Sequence, residues 1–130
     1  MKNVKKVGIM GGTFNPIHNG HLTLAQCAQK QIGLDKVLFM PSGISYMKKN
    51  VLDPQKRADM VHLAIKDNPD FELSLIEVQK SGNTYTCETL EILTSNNPDT
   101  QYYFIMGADS LFQIEQWRNE YFRYVLWCVQ

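Results

Sequence analysis

Two histidines, His18 and His21, stand three residues apart in the stretch Gly11-Gly12-Thr13-Phe14-Asn15-Pro16-Ile17-His18-Asn19-Gly20-His21. Residues three apart share a helix face, so if the first turn has begun by His18 both rings can donate hydrogen bonds to one anion. Gly11 and Gly12 come just before them. Without Cβ atoms they let the backbone take conformations closed to other residues and approach a ligand closely. A helix start adds open N–H groups and the positive end of a dipole, which suit a phosphate. Taken alone, the histidine pair has other readings: a capped helix start with two solvated rings, or part of a zinc site whose remaining ligands lie elsewhere. The Gly-Gly-Thr-Phe ahead of it favours the anion.

The elements that must hold these residues can be read from the pattern. Residues 4–10, apolar apart from Lys5 and Lys6 and ended by the two glycines, predict a buried strand, and a helical pattern opens near Asn19. Leu22, Ala25, Ala28 and Ile32 recur at steps of three and four, making one apolar face, and Gly33 supplies the stop. Val37-Leu38-Phe39-Met40 is a second strand closed by Pro41 and Gly43, so a βαβ unit is expected. A polar loop over residues 41–53 leads to Asp53-Pro54, an N-cap with proline at the first helical position. That helix carries Arg57, Met60, Val61, Ala64 and Ile65 and is expected to end near Asn68-Pro69. Alternation over residues 71–75 predicts a strand, and the shift of phase to Ile76 and Val78 a bulge or strand end. Ser81-Gly82-Asn83 reads as a turn. Residues 84–95 read as a helix with Cys87, Leu90 and Leu93 inward, and residues 101–106 as a strand running into Gly107-Ala108-Asp109-Ser110. Two strand ends that meet small-residue loops would form the crevice where open parallel sheets bind ligands. Residues 121–129 fit either a helix end or a last strand.

Composition narrows the classes. A chain of 130 residues with 44% hydrophobic content can build one domain with a real core. Thirteen basic and 13 acidic residues balance, so no global field draws the chain to nucleic acid or an anionic membrane, and any anion site must be local. Cys27, Cys87 and Cys128 are odd in number and widely spaced, which argues against a disulfide framework or zinc knuckle. No apolar run approaches the ~20 residues of a membrane span, and residues 1–6 do not lead into a signal-peptide core. The expectation is a cytoplasmic soluble protein.

The stretch from Gly11 to His21 resembles the His-x-Gly-His signature loop of the nucleotidyltransferase superfamily. Beyond it, the chain is similar to the bacterial nicotinate-nucleotide adenylyltransferases through Phe39-Met40-Pro41-Ser42-Gly43, Arg57 with Met60, Leu63, Ala64 and Ile65, and Thr84-Tyr85-Thr86 with Glu88-Thr89-Leu90. Phe104-Ile105-Met106-Gly107-Ala108-Asp109-Ser110 and Trp117 complete the series, which covers residues 5–118. The resemblance implies an α/β, Rossmann-like, three-layer parallel-sheet nucleotidyltransferase domain over residues 1–130. It also implies transfer of the AMP part of ATP to nicotinate mononucleotide, with pyrophosphate as the other product. Gly11, Gly12, Thr13 and Phe14 would line the ATP site, and Gly107, Asp109 and Ser110 would meet its adenosine end. His18, His21 and Lys48 would hold the phosphates, with Mg²⁺ escorting them. Ser42, Tyr85, Thr86 and Trp117 would meet nicotinate mononucleotide. The acceptor's phosphate is itself the nucleophile, so catalysis would be positioning and electrostatic stabilisation. On their own residue types, Lys48 also reads as a solvated loop charge, Asp109 as a helix N-cap and Trp117 as a core aromatic. A homo-oligomer is left open.

Two departures from the family pattern stand out. Many members carry Pro-Pro-His-Lys where this chain has Ser45-Tyr46-Met47-Lys48, which removes a loop histidine and the stiffening of two prolines. Residues 121–130 do not match the family's Ser/Thr-rich helix start and its phosphate-binding arginine, so the chain is expected to lack the C-terminal elements. The alternatives are a nucleotide-binding fragment without activity, or a transferase acting on another phosphate acceptor, such as a cytidylyltransferase.

Overall fold

The structure is a computed structural model that describes residues 4–12, 14, 16–43, 53–79, 86–107 and 125–129. Its elements are β1 (Lys5–Gly12), α1 (Asn19–Ile32), β2 (Lys36–Pro41), α2 (Pro54–Ile65), β3 (Phe71–Leu73), α3 (Thr86–Asn96), β4 (Thr100–Gly107) and β5 (Val125–Val129). All strand pairs are parallel, in the order β3-β2-β1-β4-β5. The order reverses between β1 and β4, which puts the topological switch point at the carboxyl ends of those strands.

Alternation along the strands sorts the core into two layers. Met10, Val37, Phe39 and Ile105 face Ala25 and Ala28 of α1 and Val61 and Ile65 of α2. Val7, Ile9, Met40, Tyr102 and Phe104 turn to the other side, where Leu90 and Leu93 of α3 cover them. Successive strand residues point to opposite faces, so a sheet with helices on both sides needs apolar residues at nearly every position. The three-layer α/β architecture expected from the sequence is therefore present.

Helix ends follow local chemistry. Gly33 closes α1 at φ 76°, where its N–H donates to the Gln29 carbonyl at 2.9 Å. Asp53 caps α2 by accepting from the Gln55 N–H at 3.1 Å, with Pro54 at the first position.

Several boundaries differ from expectation. The glycines do not break β1: the strand runs through both, with Gly11 in register with Met40 and Gly12 with Pro41. Parallel pairing outweighs the weak strand preference of glycine once a neighbour satisfies the backbone. α2 stops at Ile65, before Asn68-Pro69, and β3 is three residues long because the chain turns at residues 76–79. Residues 125–129 form a strand beside β4, which resolves the ambiguous tail. The turn expected at Ser81-Gly82-Asn83 lies outside the described residues.

Candidate functional site

The site is built at the junction of β1 and α1. His18 is the N-cap of α1, in extended conformation, and its Nδ1 accepts from the Gly20 N–H at 3.1 Å. The Nδ1 of His21 reaches back and accepts from the His18 N–H, also at 3.1 Å. This is a capping box made of two imidazoles in place of the usual hydroxyl and carboxylate. A nitrogen that accepts an N–H bond carries no proton, so in each neutral ring the proton sits on Nε2. The cap thus leaves two Nε2–H donors for an outside acceptor. A capped helix start and an anion site, which the sequence offered as alternatives, are compatible in one geometry.

The rings are held as a stack. The His18 and His21 centroids are 3.9 Å apart with the planes tilted by 31°, and the Phe14 ring meets His21 edge-on at 4.9 Å and 75°. Burial, then the neighbouring His18, holds the His21 imidazole below its ordinary pKa, which favours the neutral donor form. Gly20 makes the stack fit. A Cβ there would lie 2.8 Å and 2.9 Å from Cε1 and Nδ1 of His18, closer than carbon contacts allow. Sequence reasoning gave Gly20 no role, although a glycine inside the first helical turn, where it costs about 1 kcal/mol against alanine, was a usable signal.

Two expectations about this loop change. The helix start does not present a set of open N–H groups: those of Gly20, His21 and Leu22 are taken by His18 Nδ1 and the His18 carbonyl. The donors this cap leaves open are the two ring Nε2–H groups. Nor do Gly11 and Gly12 carry the unusual backbone; among the described residues φ is positive at Phe14 (51°) and Gly33. Holding a bulky residue there costs on the order of 1–3 kcal/mol. The Phe14 side chain, 2% exposed, anchors it by packing against Phe39 and His21. Phe14 therefore offers a ligand only its backbone. Beyond Gly12, the chain is tied across the sheet by the Ser42 N–H, which donates to the Gly12 carbonyl at 2.8 Å.

Of the remaining sequence-derived site residues, Ser42 is half-buried at the exit of β2, and Gly107 is the last residue of β4, at the switch point. Thr86 opens α3, its side chain undescribed. Thr13, Lys48, Tyr85, Asp109, Ser110 and Trp117 lie outside the described residues. Three buried polar side chains, Arg57, Glu77 and Thr89, had no assigned role in the sequence reading. Arg57 on α2 donates to the Gly43 carbonyl at 3.1 Å, and Thr89 on α3 donates to Glu77 at 3.3 Å. Arg57 was detectable, because it shares a face with Val61 and Ile65 at steps of four. Among the described residues no three His, Cys, Asp or Glu side chains converge on a metal position, and no helix is long and apolar enough to cross a membrane.

A parallel sheet ordered 3-2-1-4-5, with an imidazole pair capping the helix that follows β1, defines a nucleotidyltransferase-type α/β domain. Residues 9–130 match the cytidylyltransferase-like family, and the chain belongs to it. A protein of Lachnoclostridium phytofermentans named as a probable nicotinate-nucleotide adenylyltransferase is 49% identical over 116 residues, 88% of this chain and 58% of that protein. The nicotinate-nucleotide adenylyltransferase of Bacillus subtilis is 43% identical over 116 residues, 88% of this chain and 61% of its own length. The chain thus spans about three-fifths of the length of these relatives. Among solved structures, the Plasmodium falciparum nicotinic acid mononucleotide adenylyltransferase complexed with NaAD superposes with a TM-score of 0.83 at 18% identity. That superposition covers 95% of this chain and 63% of the other, and carries the fold.

Proposed function

We propose that this chain forms the catalytic portion of a nicotinate-nucleotide adenylyltransferase, which joins the AMP part of ATP to nicotinate mononucleotide and releases pyrophosphate. The observation that carries the chemistry is the double imidazole cap, whose two Nε2–H groups stand at the end of β1 beside the switch point. Sequence likeness to the Bacillus subtilis enzyme supports the choice of donor and acceptor.

In this reading the acceptor phosphate attacks the α-phosphorus of ATP, a bond forms from its oxygen to that phosphorus, and the bond to pyrophosphate breaks. His18 and His21, as neutral donors, meet the phosphate oxygens on which charge accumulates, and they are pre-oriented because each Nδ1 is already committed. Lys48 adds a positive charge. Mg²⁺ would accompany the triphosphate as part of the substrate and offset its negative charge. Gly11, Gly12, Thr13 and the Phe14 backbone line the ATP, and Gly107, Asp109 and Ser110 receive its adenosine end. Ser42, Tyr85, Thr86 and Trp117 receive nicotinate mononucleotide. The site is proposed to work in the cytoplasm, within a single domain.

Pyrophosphate release by the 130-residue chain with ATP, Mg²⁺ and nicotinate mononucleotide tests this reading. Release that requires nicotinate mononucleotide and falls by about 10²-fold or more in His21→Ala is the expected result. Release with CTP and a polyol phosphate instead would replace the acceptor and donor. Nucleotide binding without release would reduce the chain to a binding fragment.

A further inference from the structure

Arg57 is 1% exposed, among the most buried large side chains of the protein. It shares its face of α2 with Val61 and Ile65, so the helix carries a guanidinium into an apolar layer. Removing a charge from water is costly unless polar partners meet it, and an apolar residue of similar volume would avoid that cost. Its partners are specific. Nη2 donates to the Gly43 carbonyl at 3.1 Å and Nη1 to the Ser42 hydroxyl oxygen at 3.4 Å. Both acceptors belong to the exit of β2, where the Ser42 N–H is bonded to the Gly12 carbonyl. Arg57 therefore ties α2, through Ser42, to the end of the strand that leads into the histidine cap.

The polarity of these bonds has a chemical consequence. A guanidinium has donors and no acceptor, so the Ser42 oxygen must accept from it, and the serine proton is left to be donated elsewhere. The half-exposed position of Ser42 opens that donation to a ligand. Burial lowers the guanidinium pKa from its ordinary value while Asp53 acts in the opposite sense.

We propose that Arg57 is a positioning residue for the acceptor side of the site: its forked bonds to Ser42 and Gly43 hold the Ser42 hydroxyl as a donor toward an anionic oxygen of the second substrate. The inference rests on the transferase reading for what that substrate is, a phosphorylated, acidic nucleotide. Lysine cannot substitute for it, because an ammonium lacks the planar fork that spans two acceptors.

The test is a double-variant cycle in the 130-residue chain. Ser42→Ala is expected to raise the KM for nicotinate mononucleotide by about tenfold, with a smaller change for ATP. Arg57→Met is expected to do the same, and the double variant to be no worse than Arg57→Met alone, since one side chain acts through the other. Arg57→Lys, which keeps the charge, serves as second variant should the methionine chain fail to fold, and the same coupling is expected. Multiplicative losses in the double variant, equal rises in both KM values, or full activity in Arg57→Lys would each overturn the proposal. A readout without turnover accompanies it. Amide exchange at Ser42 is expected to speed by about tenfold in the Arg57 variant relative to Val37 within β2, as the local opening energy falls; an unchanged rate also overturns the proposal. A chain that makes no product from ATP and nicotinate mononucleotide refutes the transferase reading instead, and the exchange rate then decides the role of Arg57.

Discussion

Gly20→Ala separates stability from ligand binding at the histidine cap. The new Cβ would sit 2.8 Å from the His18 ring, where ordinary contact begins at 3.4 Å, so the imidazole must shift by about half an ångström or more and give up its bond to the residue-20 N–H. Loss of an N-cap bond costs about 0.5–2 kcal/mol. Replacing glycine by alanine in a helix returns up to about 1 kcal/mol. The two nearly cancel, and stability is expected to stay within about 1 kcal/mol of the parent in urea denaturation. Binding has no such offset. A hydrogen bond to a charged group contributes about 1.5–3 kcal/mol, so a misdirected Nε2–H is expected to weaken MgATP by ~10–100-fold in calorimetric titration. A variant that binds MgATP within about threefold of the parent would refute the claim that Gly20 exists to seat the ring. One that loses several kcal/mol of stability would show the glycine to serve the fold.

Two further outcomes follow from the same geometry. Gly33→Ala places a Cβ in the left-handed region at φ 76° with nothing within 4 Å to clash, so the cost is backbone strain alone, about 1–2 kcal/mol in urea denaturation with nucleotide affinity unchanged. His21 titrates below its ordinary value in the folded chain, so as pH falls the unfolded chain takes up the proton first. Its contribution is full above about pH 6.5 and is lost as pH falls through the depressed folded value. His21→Gln keeps an acceptor at the third helical position to complete the cap. The variant is expected to match the parent's melting temperature at neutral pH and to lose less of it on acidification; identical acid limbs would sink this assignment.

What could be read in the sequence was whatever rests on neighbours along the chain. The α1 face of Leu22, Ala25, Ala28 and Ile32, the Gly33 stop and the Asp53-Pro54 start all came out as expected, because periodicity and capping act over four or five residues. Continuous apolar runs announced buried parallel strands, and the Gly-Gly-Thr-Phe ahead of two histidines marked the junction of β1 and α1 where the imidazole cap is built. Burial of Arg57 was half-legible: its spacing from Val61 and Ile65 was visible, its partners at residues 42 and 43 were not.

The sequence by itself determined most of the elements, the class of sheet and the loop proposed here to carry the chemistry. Only the tertiary structure decided how that loop is built. β1 runs through both glycines because β2 is there to pair with it, and the strained residue is Phe14 because a core formed by Phe39 and other strand and helix side chains grips its ring. The strand order that puts Gly12 and Gly107 at one edge of the switch point depends on pairings between strands nearly a hundred residues apart. The tautomer of each histidine follows from which backbone N–H its Nδ1 meets, and that meeting requires the stacked rings, Phe14 beside them and the bare Cα of Gly20 beneath. Hydrogen-bond polarity is a property of atoms brought together in space, and no spacing along a chain records it.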